Sequence, residues 1–182
     1  MKRVVIISTS LRVRSNSDLL AEQFMKGAES AGHQVEKVEL LGKQIAFCRG
    51  CFACAKLGRC IIDDDVNGIM EKVMKADVIV WATPIYYYEM SGQMKTLIDR
   101  MNAMYDRDYR FREVYLLTTA AEDEDSVPQP QLYLKFTTLF PNPVVTAFWV
   151  FNPTEPPFCF SLVTTLITAP NPMLEYWIGG LV

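Results

Sequence analysis

The sequence predicts an α/β domain with a parallel sheet, and three observations predict it. Short apolar runs at residues 4–7 and 77–82 have the continuous hydrophobicity of strands that are buried on both faces. Each run leads through a loop into a segment whose apolar residues follow the spacing of one helix face. Strand and helix then alternate along the chain, which is typical of parallel strands joined by crossover helices. A length of 182 residues fits a single domain.

The loop after the first strand is a candidate anion site. Residues 8–17 are rich in hydroxyl groups and include Arg12 and Arg14. We predict that Ser17 caps the following helix, whose apolar face is formed by Leu20, Phe24, Ala28 and Ala31. Free backbone N–H groups and the helix dipole at such a terminus favour a phosphate, and hydroxyls or arginine add charge-assisted bonds. The spacing alone is a weak signal, because loops at this position are often simply polar.

Segment 83–100 is the centre of the predicted site. Pro84 has no backbone N–H, so we expect the strand to turn there, with three tyrosines, 86–88, in the turn. Ser91 is a good N-cap, and one face of the next helix is formed by Met94, Leu97, Ile98 and Met101. Loops at the carboxyl ends of parallel strands hold ligands, and flat rings there suit a flat, conjugated ligand. The competing interpretation is a surface loop with one ring in the core.

Three further elements complete the alternating pattern. Residues 34–40 predict a second strand near a sheet edge, and residues 66–73 predict a helix that is preceded by the acidic run 63–65. Residues 113–118 predict a fourth strand. Its end, residues 118–121, would then form a third loop at the ligand.

The segment 83–100 resembles the flavin-ring loop of the flavodoxin-like NAD(P)H-dependent FMN reductases and iron–sulfur flavoproteins. The pattern is Ser/Thr-Pro-Val/Ile-Tyr, then Ser-Gly-x-x-Lys, then Asp-Arg, carried here by Thr83, Pro84, Ile85, Tyr86, Ser91, Gly92, Lys95, Asp99 and Arg100. The loop 8–17 resembles the phosphate loop of that family through Ser10, Arg12, Asn16 and Ser17. Thr9, Leu11 and Ser15 stand where the family usually has Gly, Pro and Gly. The resemblance extends over about residues 1–125.

The resemblance implies a flavodoxin-like three-layer sandwich, with parallel strands in the order 2-1-3-4-5, that binds FMN. It implies phosphate contacts from Ser10, Arg12, Ser15, Asn16 and Ser17. It implies ring contacts from Pro84, Ile85, Tyr86, Tyr87, Thr118, Thr119 and Ala120. The implied activity transfers a hydride from NAD(P)H to the flavin and passes electrons to flavin, quinone or another small acceptor. The flavin then carries the chemistry, and no catalytic side chain is required.

Four of the five cysteines form a compact cluster with the spacing Cys48-x-x-Cys51-x-x-Cys54, five residues, Cys60. Such spacing suits a 4Fe-4S cluster and resembles the motif of iron–sulfur flavoproteins, which implies an electron carrier as the alternative function. Zinc, a thiol redox sensor and a loop without metal are the other interpretations. We expect a loop without metal to be ordered by packing of its apolar residues, which are Phe47, Phe52, Ile61 and Ile62.

The last part of the chain departs from the family pattern. Residues 127–182 hold nine of the ten prolines and three charged side chains, so we divide the domain into a core, 1–126, and an atypical segment, 127–182. Residues 144–151 and 158–167 predict strands, while no amphipathic helix with caps is evident. We therefore expect the usual closing helix–strand–helix unit to be missing. Apolar surface left uncovered would then be buried in a homo-dimer or higher oligomer.

Composition narrows the range of partners and compartments. A net charge of -3 and a pI near 5.2 argue against a nucleic-acid partner. The chain starts directly with a strand pattern, and prolines break the uncharged runs, so we expect a cytoplasmic protein that is not a membrane protein. The expected partners are a small-molecule electron acceptor or a redox protein.

Overall fold

A twisted sheet with helices on both faces forms the part of the chain that the structure describes. This computed structural model describes residues 1–104 and 107–121, and the backbone of two further strands. The strands are β1 (Arg3–Ser8), β2 (Gln34–Glu39), β3 (Val78–Tyr86), β4 (Glu89–Met90), β5 (Glu113–Thr119), β6 (Val144–Phe151) and β7 (Phe160–Val163). The helices are α1 (Asn16–Ser30), α2 (Ala53–Leu57), α3 (Val66–Lys75) and α4 (Gly92–Arg100), which continues into a 3₁₀ turn (Met101–Met104).

The strand order confirms the predicted topology. The order is β2-β1-β3-β5-β6-β7, with the short β4 pairing antiparallel to the end of β3. The first five strands of this order are mutually parallel, and they occur in the flavodoxin-like order 2-1-3-4-5 when only parallel strands are counted. β7 is antiparallel to β6. β2 ends the order on the other side, as predicted for a strand near an edge.

Alternating side chains of the central strands pack into two separate cores, which gives the sandwich its three layers. Val4 and Ile6 pack with Leu20 of α1 on one face of the sheet. Val5 and Ile7 point to the other face, which packs against α3 and α4. Because both faces are covered, these strands read as continuous apolar runs rather than as alternating ones. The carboxyl ends of β1, β3 and β5 are thereby held side by side.

The start of α1 corrects the predicted cap. Ser15, not Ser17, is the N-cap: its backbone is extended, and its Oγ accepts the N–H of Asp18 at 3.2 Å. Ser17 is completely buried inside the first turn, where its Oγ lies 3.3 Å from that of Ser15. Both serines fit the cap preference, so composition alone does not distinguish a helix start at 16 from one at 18.

The path of β3 corrects the predicted turn at Pro84. β3 continues through Pro84 to Tyr86, and Pro84 pairs in register with Thr119 of β5. Pairing with β1 ends earlier, at Ala82. Beyond that residue β3 has lost one parallel neighbour, so a missing backbone donor is tolerated as it is on an edge strand.

The strands predicted in the last part of the chain are present. β6 has the predicted bounds of 144–151, and β7 lies inside the predicted range of 158–167. The expected lack of closing helices falls on residues outside the described ones, and the division at residue 126 stays a prediction. Within the described ranges, every helix is too short or too polar to cross a bilayer.

Candidate functional site

Buried hydroxyl groups gather where three neighbouring parallel strands end. Nine serines and threonines there are less than one tenth exposed, namely Ser8, Thr9, Ser10, Ser15, Ser17, Thr83, Ser91, Thr118 and Thr119. They belong to the carboxyl ends of β1, β3 and β5, to the start of α1 and to the cap of α4. Buried hydroxyls need hydrogen-bond partners, and the crevice beyond the carboxyl ends of such strands is where open α/β sheets bind ligands.

Ser91 joins two of these strand ends. Its Oγ lies 3.1 Å from Oγ1 of Thr9 and accepts a hydrogen bond from Oγ1 of Thr83 at 3.2 Å. The same Oγ caps α4 by accepting the N–H of Met94 at 3.4 Å, as predicted. Gln93 adds a bond from Nε2 to the carbonyl of Thr9 at 2.8 Å. The first and second loops of the predicted site are therefore tied together by α4.

The loop between β1 and α1 presents both buried hydroxyls and exposed cations. Ser10 is buried, and its Oγ accepts the backbone N–H of Arg12 at 3.2 Å. The side chain of Arg12 is exposed, and Asn16 is partly buried at the first position of the 15-residue α1. The left-handed residue of this loop is Arg14, with φ of 54°, whereas Ser15 is extended, so the serine at the usual glycine position is unstrained.

The three tyrosines form the tip of a two-residue hairpin. Tyr86 ends β3 opposite Glu89 of β4, and the turn itself consists of Tyr87 and Tyr88. These two residues have φ of 50° and 64°, the conformation of a type I′ turn that normally takes Asn or Gly. The Tyr87 side chain is 96% exposed and those of Tyr86 and Tyr88 about half exposed. Their exposure contradicts the interpretation in which a ring is tucked into the core.

The end of β5 supplies the third loop of the predicted site. Thr118 and Thr119 are buried and lie opposite Thr83 and Pro84 of β3, and Ala120 follows them. The predicted residues thus converge: the three segments lie at the ends of adjacent strands. Small hydroxyl side chains beside a helix N-terminus suit the phosphate of FMN. Exposed aromatic rings suit its flat ring system.

The cysteine segment, defined as residues 47–63, lies between β2 and α3 and contains the short helix α2. All four of its cysteines are free thiols; Cys48 and Cys51 are exposed, and Cys54 and Cys60 are partly buried. Within the described ranges, no three cysteine, histidine or carboxylate side chains are close enough to hold one metal ion. The donor set suits a 4Fe-4S cluster in chemistry, but the sulfurs would have to move together to ligate it.

A buried ion pair that we did not predict holds together the two residues that flank this segment, Ala46 and Asp64. Arg100, at the end of α4, donates from Nη1 and Nη2 to the two carboxylate oxygens of Asp64 at 2.7 and 2.9 Å. Nη1 also donates to the carbonyl of Ala46 at 2.7 Å, and the Asp64 carboxylate accepts the N–H of Ala46 at 3.0 Å. The Arg100 side chain is fully buried. The two ends of the segment are therefore joined through a single arginine.

This pair fixes the charge of both partners. Burial by itself would raise the pKa of the Asp64 carboxyl, but hydrogen bonds from Arg100 and from the N–H groups of Ala46 and Val66 hold it below its usual value. Burial would likewise lower the pKa of Arg100, which interactions with Asp64 and Cys60 instead raise. The sequence does contain Asp-Arg at 99–100, but it does not reveal that Asp64 is the acid that Arg100 binds.

The apolar residues expected to order the segment do not do so. Phe47 and Phe52 are 80% and 70% exposed, Ile61 is about half exposed, and Ile62 is partly buried. Polar contacts take their place: Asn67 of α3 binds the backbone of Cys60 on both sides, with Oδ1 and Nδ2 each at 3.0 Å. The prediction of an apolar-packed loop was wrong because the ordering groups are side chains of α3 and α4.

A second concavity lies at the opposite end of the sheet. This open groove of about 590 Å³ is lined by the first residues of β1 and β2 and by the exposed side of α3. Its side chains are charged ones of both signs, including Arg3, Glu36 and Lys72. Ligands of open parallel sheets bind at carboxyl ends of strands, so we place the functional site at the hydroxyl cluster.

The sequence profile of NADPH-dependent FMN reductases matches residues 2–154 of this chain. The chain belongs to that family. The match confirms the predicted family, supports FMN and NAD(P)H as cofactor and co-substrate, and extends past the predicted limit of residue 125. An NAD(P)H:quinone oxidoreductase from Methanothermobacter marburgensis has the same fold, with a TM-score of 0.66, 15% identity and coverage of 86% of this chain and 87% of that one.

Relatives with closer sequences belong to two functional types. An iron–sulfur flavoprotein of Archaeoglobus fulgidus is 38% identical over 101 residues, which are 56% of this chain and 46% of that protein. A Bacillus subtilis protein, provisionally described as an NAD(P)H-dependent FMN-containing oxidoreductase, is 28% identical over 110 residues, 60% of this chain and 56% of that protein. The matches therefore span about half the length of these relatives.

Proposed function

We propose that the protein is an FMN-dependent oxidoreductase that takes a hydride from NAD(P)H and passes electrons to flavin, quinone or another small acceptor. The observation that carries the proposal is the cluster of nine buried hydroxyl residues at the ends of β1, β3 and β5. Membership in the NADPH-dependent FMN reductase family supports it. The activity is assigned to the described loops and not to any single acid or base.

In this proposal the loop 8–17 holds the FMN phosphate. Ser10, Ser15 and Ser17 supply hydroxyls, while Asn16 begins a helix whose first N–H groups point toward the anion. Arg12, whose side chain is exposed, would supply a charge-assisted hydrogen bond to the phosphate. Ser15 also caps this helix by accepting the N–H of Asp18, so one residue would serve both the cap and the proposed phosphate site.

The flavin ring would lie against the ends of β3 and β5. Pro84, Ile85 and Tyr86 offer backbone and ring surface along the end of β3, and Tyr87 is available from the hairpin turn. The end of the adjacent strand β5 would extend this surface through Thr118 and Thr119, together with Ala120 directly after it. FMN, when bound, supplies the hydride and electron chemistry. The chain contributes orientation, hydrogen bonds from buried hydroxyls and exclusion of water.

Titration with FMN, riboflavin and FAD tests the site. Loss of Arg12 in Arg12→Ala removes a charge-assisted bond worth about 1.5–3 kcal/mol, so FMN should bind about 10- to 150-fold more weakly. Riboflavin, which has no phosphate, should bind the variant and the parent chain alike. The control is Arg59→Ala, which removes an exposed arginine of the cysteine segment. Equal affinity of the parent chain for FAD and FMN would contradict a site that ends at one phosphate.

The activity is tested separately by NAD(P)H oxidation with the FMN-saturated chain. Steady oxidation with a quinone or free flavin as acceptor is the expected result. Slow oxidation together with rapid reduction by a ferredoxin would instead identify an electron carrier. The small-molecule acceptor, or a redox protein in its place, and assembly as a homo-dimer or higher oligomer are parts of the same proposal.

The second candidate is an iron–sulfur flavoprotein that carries electrons through FMN and a 4Fe-4S cluster. Four free thiols within thirteen residues and a 38% identical relative named as an iron–sulfur flavoprotein favour it. Cys48, Cys51, Cys54 and Cys60 would be the ligands after the sulfurs have moved together. The cluster would supply one-electron chemistry near the surface, where the segment is exposed.

Iron and acid-labile sulfide, measured after anaerobic purification, distinguish the two candidates. About four irons per chain, lost in Cys51→Ser but retained in Cys159→Ser, would establish the carrier. Cys159 is the matched control because it lies outside the compact spacing. Stoichiometric FMN without iron, unchanged in Cys51→Ser, would leave the flavin-only oxidoreductase.

A further inference from the structure

The inner half of the cysteine segment, residues 53–63, is attached to the domain through polar side chains. Asn102 donates from Nδ2 to Sγ of Cys54 at 3.5 Å, and Cys54 and Cys60 both pack against the main core. Asn67 binds the N–H and the carbonyl of Cys60. Arg107 donates to the carbonyl of Gly58 between them. Two of the four thiols are thus held in place by α3 and by the end of α4.

The outer half, residues 47–52, is attached differently. Cys48 and Cys51 are exposed, as are the phenylalanines on either side of them. In the described part of the chain, the hydrogen bond seen for residues 47–51 is internal, from the N–H of Gly50 to Sγ of Cys48 at 3.5 Å. Gly50 and Phe52, both in the outer half, have left-handed φ values of 62° and 54°.

Arg100 links the halves at their common base. It binds Ala46 before the outer half and Asp64 after the inner half, and its side chain is fully buried. Its Nε has no hydrogen-bond partner among the described residues. An N–H group that is buried without a hydrogen-bond partner is costly, so the three hydrogen bonds to Asp64 and Ala46 are what hold this guanidinium in place.

We propose that Arg100, through its pair with Asp64, is the positioning residue of the cysteine segment. By holding Ala46 and Asp64 together, it keeps Cys60 against the domain before any ligand arrives, while Asn102 holds Cys54 and the exposed Cys48 and Cys51 are left to move toward them. Because α4 begins at Ser91 in the hydroxyl cluster and ends at Arg100, one nine-residue helix positions both sites. The inference stands on these contacts and does not depend on FMN or on bound metal.

Arg100→Lys is the primary test because lysine retains the charge but lacks the planar fork that binds both Asp64 oxygens and Ala46. The measurement is the alkylation rate of each cysteine by iodoacetamide, followed by peptide mass spectrometry. In the parent chain Cys48 and Cys51 should react at least about tenfold faster than Cys54 and Cys60. In Arg100→Lys the rate at Cys60 should rise at least about tenfold, and that at Cys48 should not change.

A second variant and a matched control keep the result interpretable. Asn67→Ala removes the contacts to the Cys60 backbone without disturbing a buried charge, and it should accelerate Cys60 but not Cys54. Asp99→Asn breaks the exposed pair of Asp99 with Lys95 on the same helix and should change no rate. Hydrogen exchange of the β1 amides should stay unchanged in every variant, because general loosening of the fold would accelerate it.

Two results would overturn the inference. One is equal alkylation of all four thiols in the parent chain, and the other is an unchanged rate at Cys60 in Arg100→Lys, whatever Asn67→Ala shows. FMN affinity, measured on the same samples, is an independent readout. If the chain does not bind FMN but alkylates Cys48 and Cys51 faster than Cys54 and Cys60, the proposed oxidoreductase is refuted and the positioning role of Arg100 is retained.

Discussion

Replacing Ser91 by alanine removes the hydroxyl that joins the ends of β1 and β3 to α4. The helix loses a cap, which costs about 1 kcal/mol. The hydrogen bonds with Thr9 and Thr83, at 3.1 and 3.2 Å, are lost in a fully buried place, and each contributes about 1 kcal/mol. Thr83 retains a bond to the carbonyl of Pro84, so part of its loss is recovered. The sum is a loss of about 2–3 kcal/mol in the free energy of unfolding.

Urea unfolding of the FMN-free chain measures this loss, and for a domain of this size it corresponds to a decrease in Tm of about 4–12 °C. Thr96→Ala is the control on the same helix. Among the described residues, its Oγ1 donates to the carbonyl of Gly92 within α4, at 2.8 Å, and to no other group. The better helix propensity of alanine offsets that loss, so we expect a change within about 0.5 kcal/mol. Ser91→Thr should restore the cap. A loss below about 0.5 kcal/mol in Ser91→Ala would refute the reasoning.

Three further predictions concern strain and charge. Tyr87→Asn should stabilise the FMN-free chain by about 0.5–1 kcal/mol, because asparagine tolerates the left-handed conformation and the tyrosine ring is 96% exposed; a decrease in Tm would contradict this. Lys37→Met should destabilise the chain by about 1–2 kcal/mol at pH 7, since Lys37 binds Asp18, Glu22 and Glu39; urea unfolding that shows no loss would contradict this. The pKa of His33 is lowered by burial and by nearby positive charge, and its Nδ1 accepts the N–H of Lys2. The folded state therefore favours the neutral form of His33, and this contribution to the free energy of unfolding is complete above pH 6.5. It is lost as the pH falls from 6.5 through the lower pKa of the folded state. Urea unfolding of His33→Gln should show a smaller decrease in stability over the same pH range.

Local patterns predicted the central elements well because those elements are buried on both faces. The runs 4–7 and 77–82 became β1 and β3, and Ser91 caps α4 as expected. The loops of the predicted flavin site lie together because parallel topology brings carboxyl ends to one side of the sheet. Their contacts with FMN stay predictions.

Features that depend on neighbours distant in sequence were missed. Pro84 lies inside β3, because β1 ends its pairing two residues earlier. Phe47 and Phe52 lie exposed, because Arg100 and Asn67 order the cysteine segment from other helices. Proline locally disfavours strands and phenylalanine favours burial. Here the register of a neighbouring strand places Pro84 within a strand, and a buried ion pair orders the segment without burying its phenylalanines.

The edge strand β2 is protected against pairing with another chain. Its outward residues are charged or polar, and Lys37 lies among three carboxylates from β2 and α1. Charges along a border strand discourage another chain from adding a strand of its own, which is the first step of amyloid-like aggregation. A crowded solution of this protein should therefore not polymerise through that side. Two copies that associate would have to meet through a different surface.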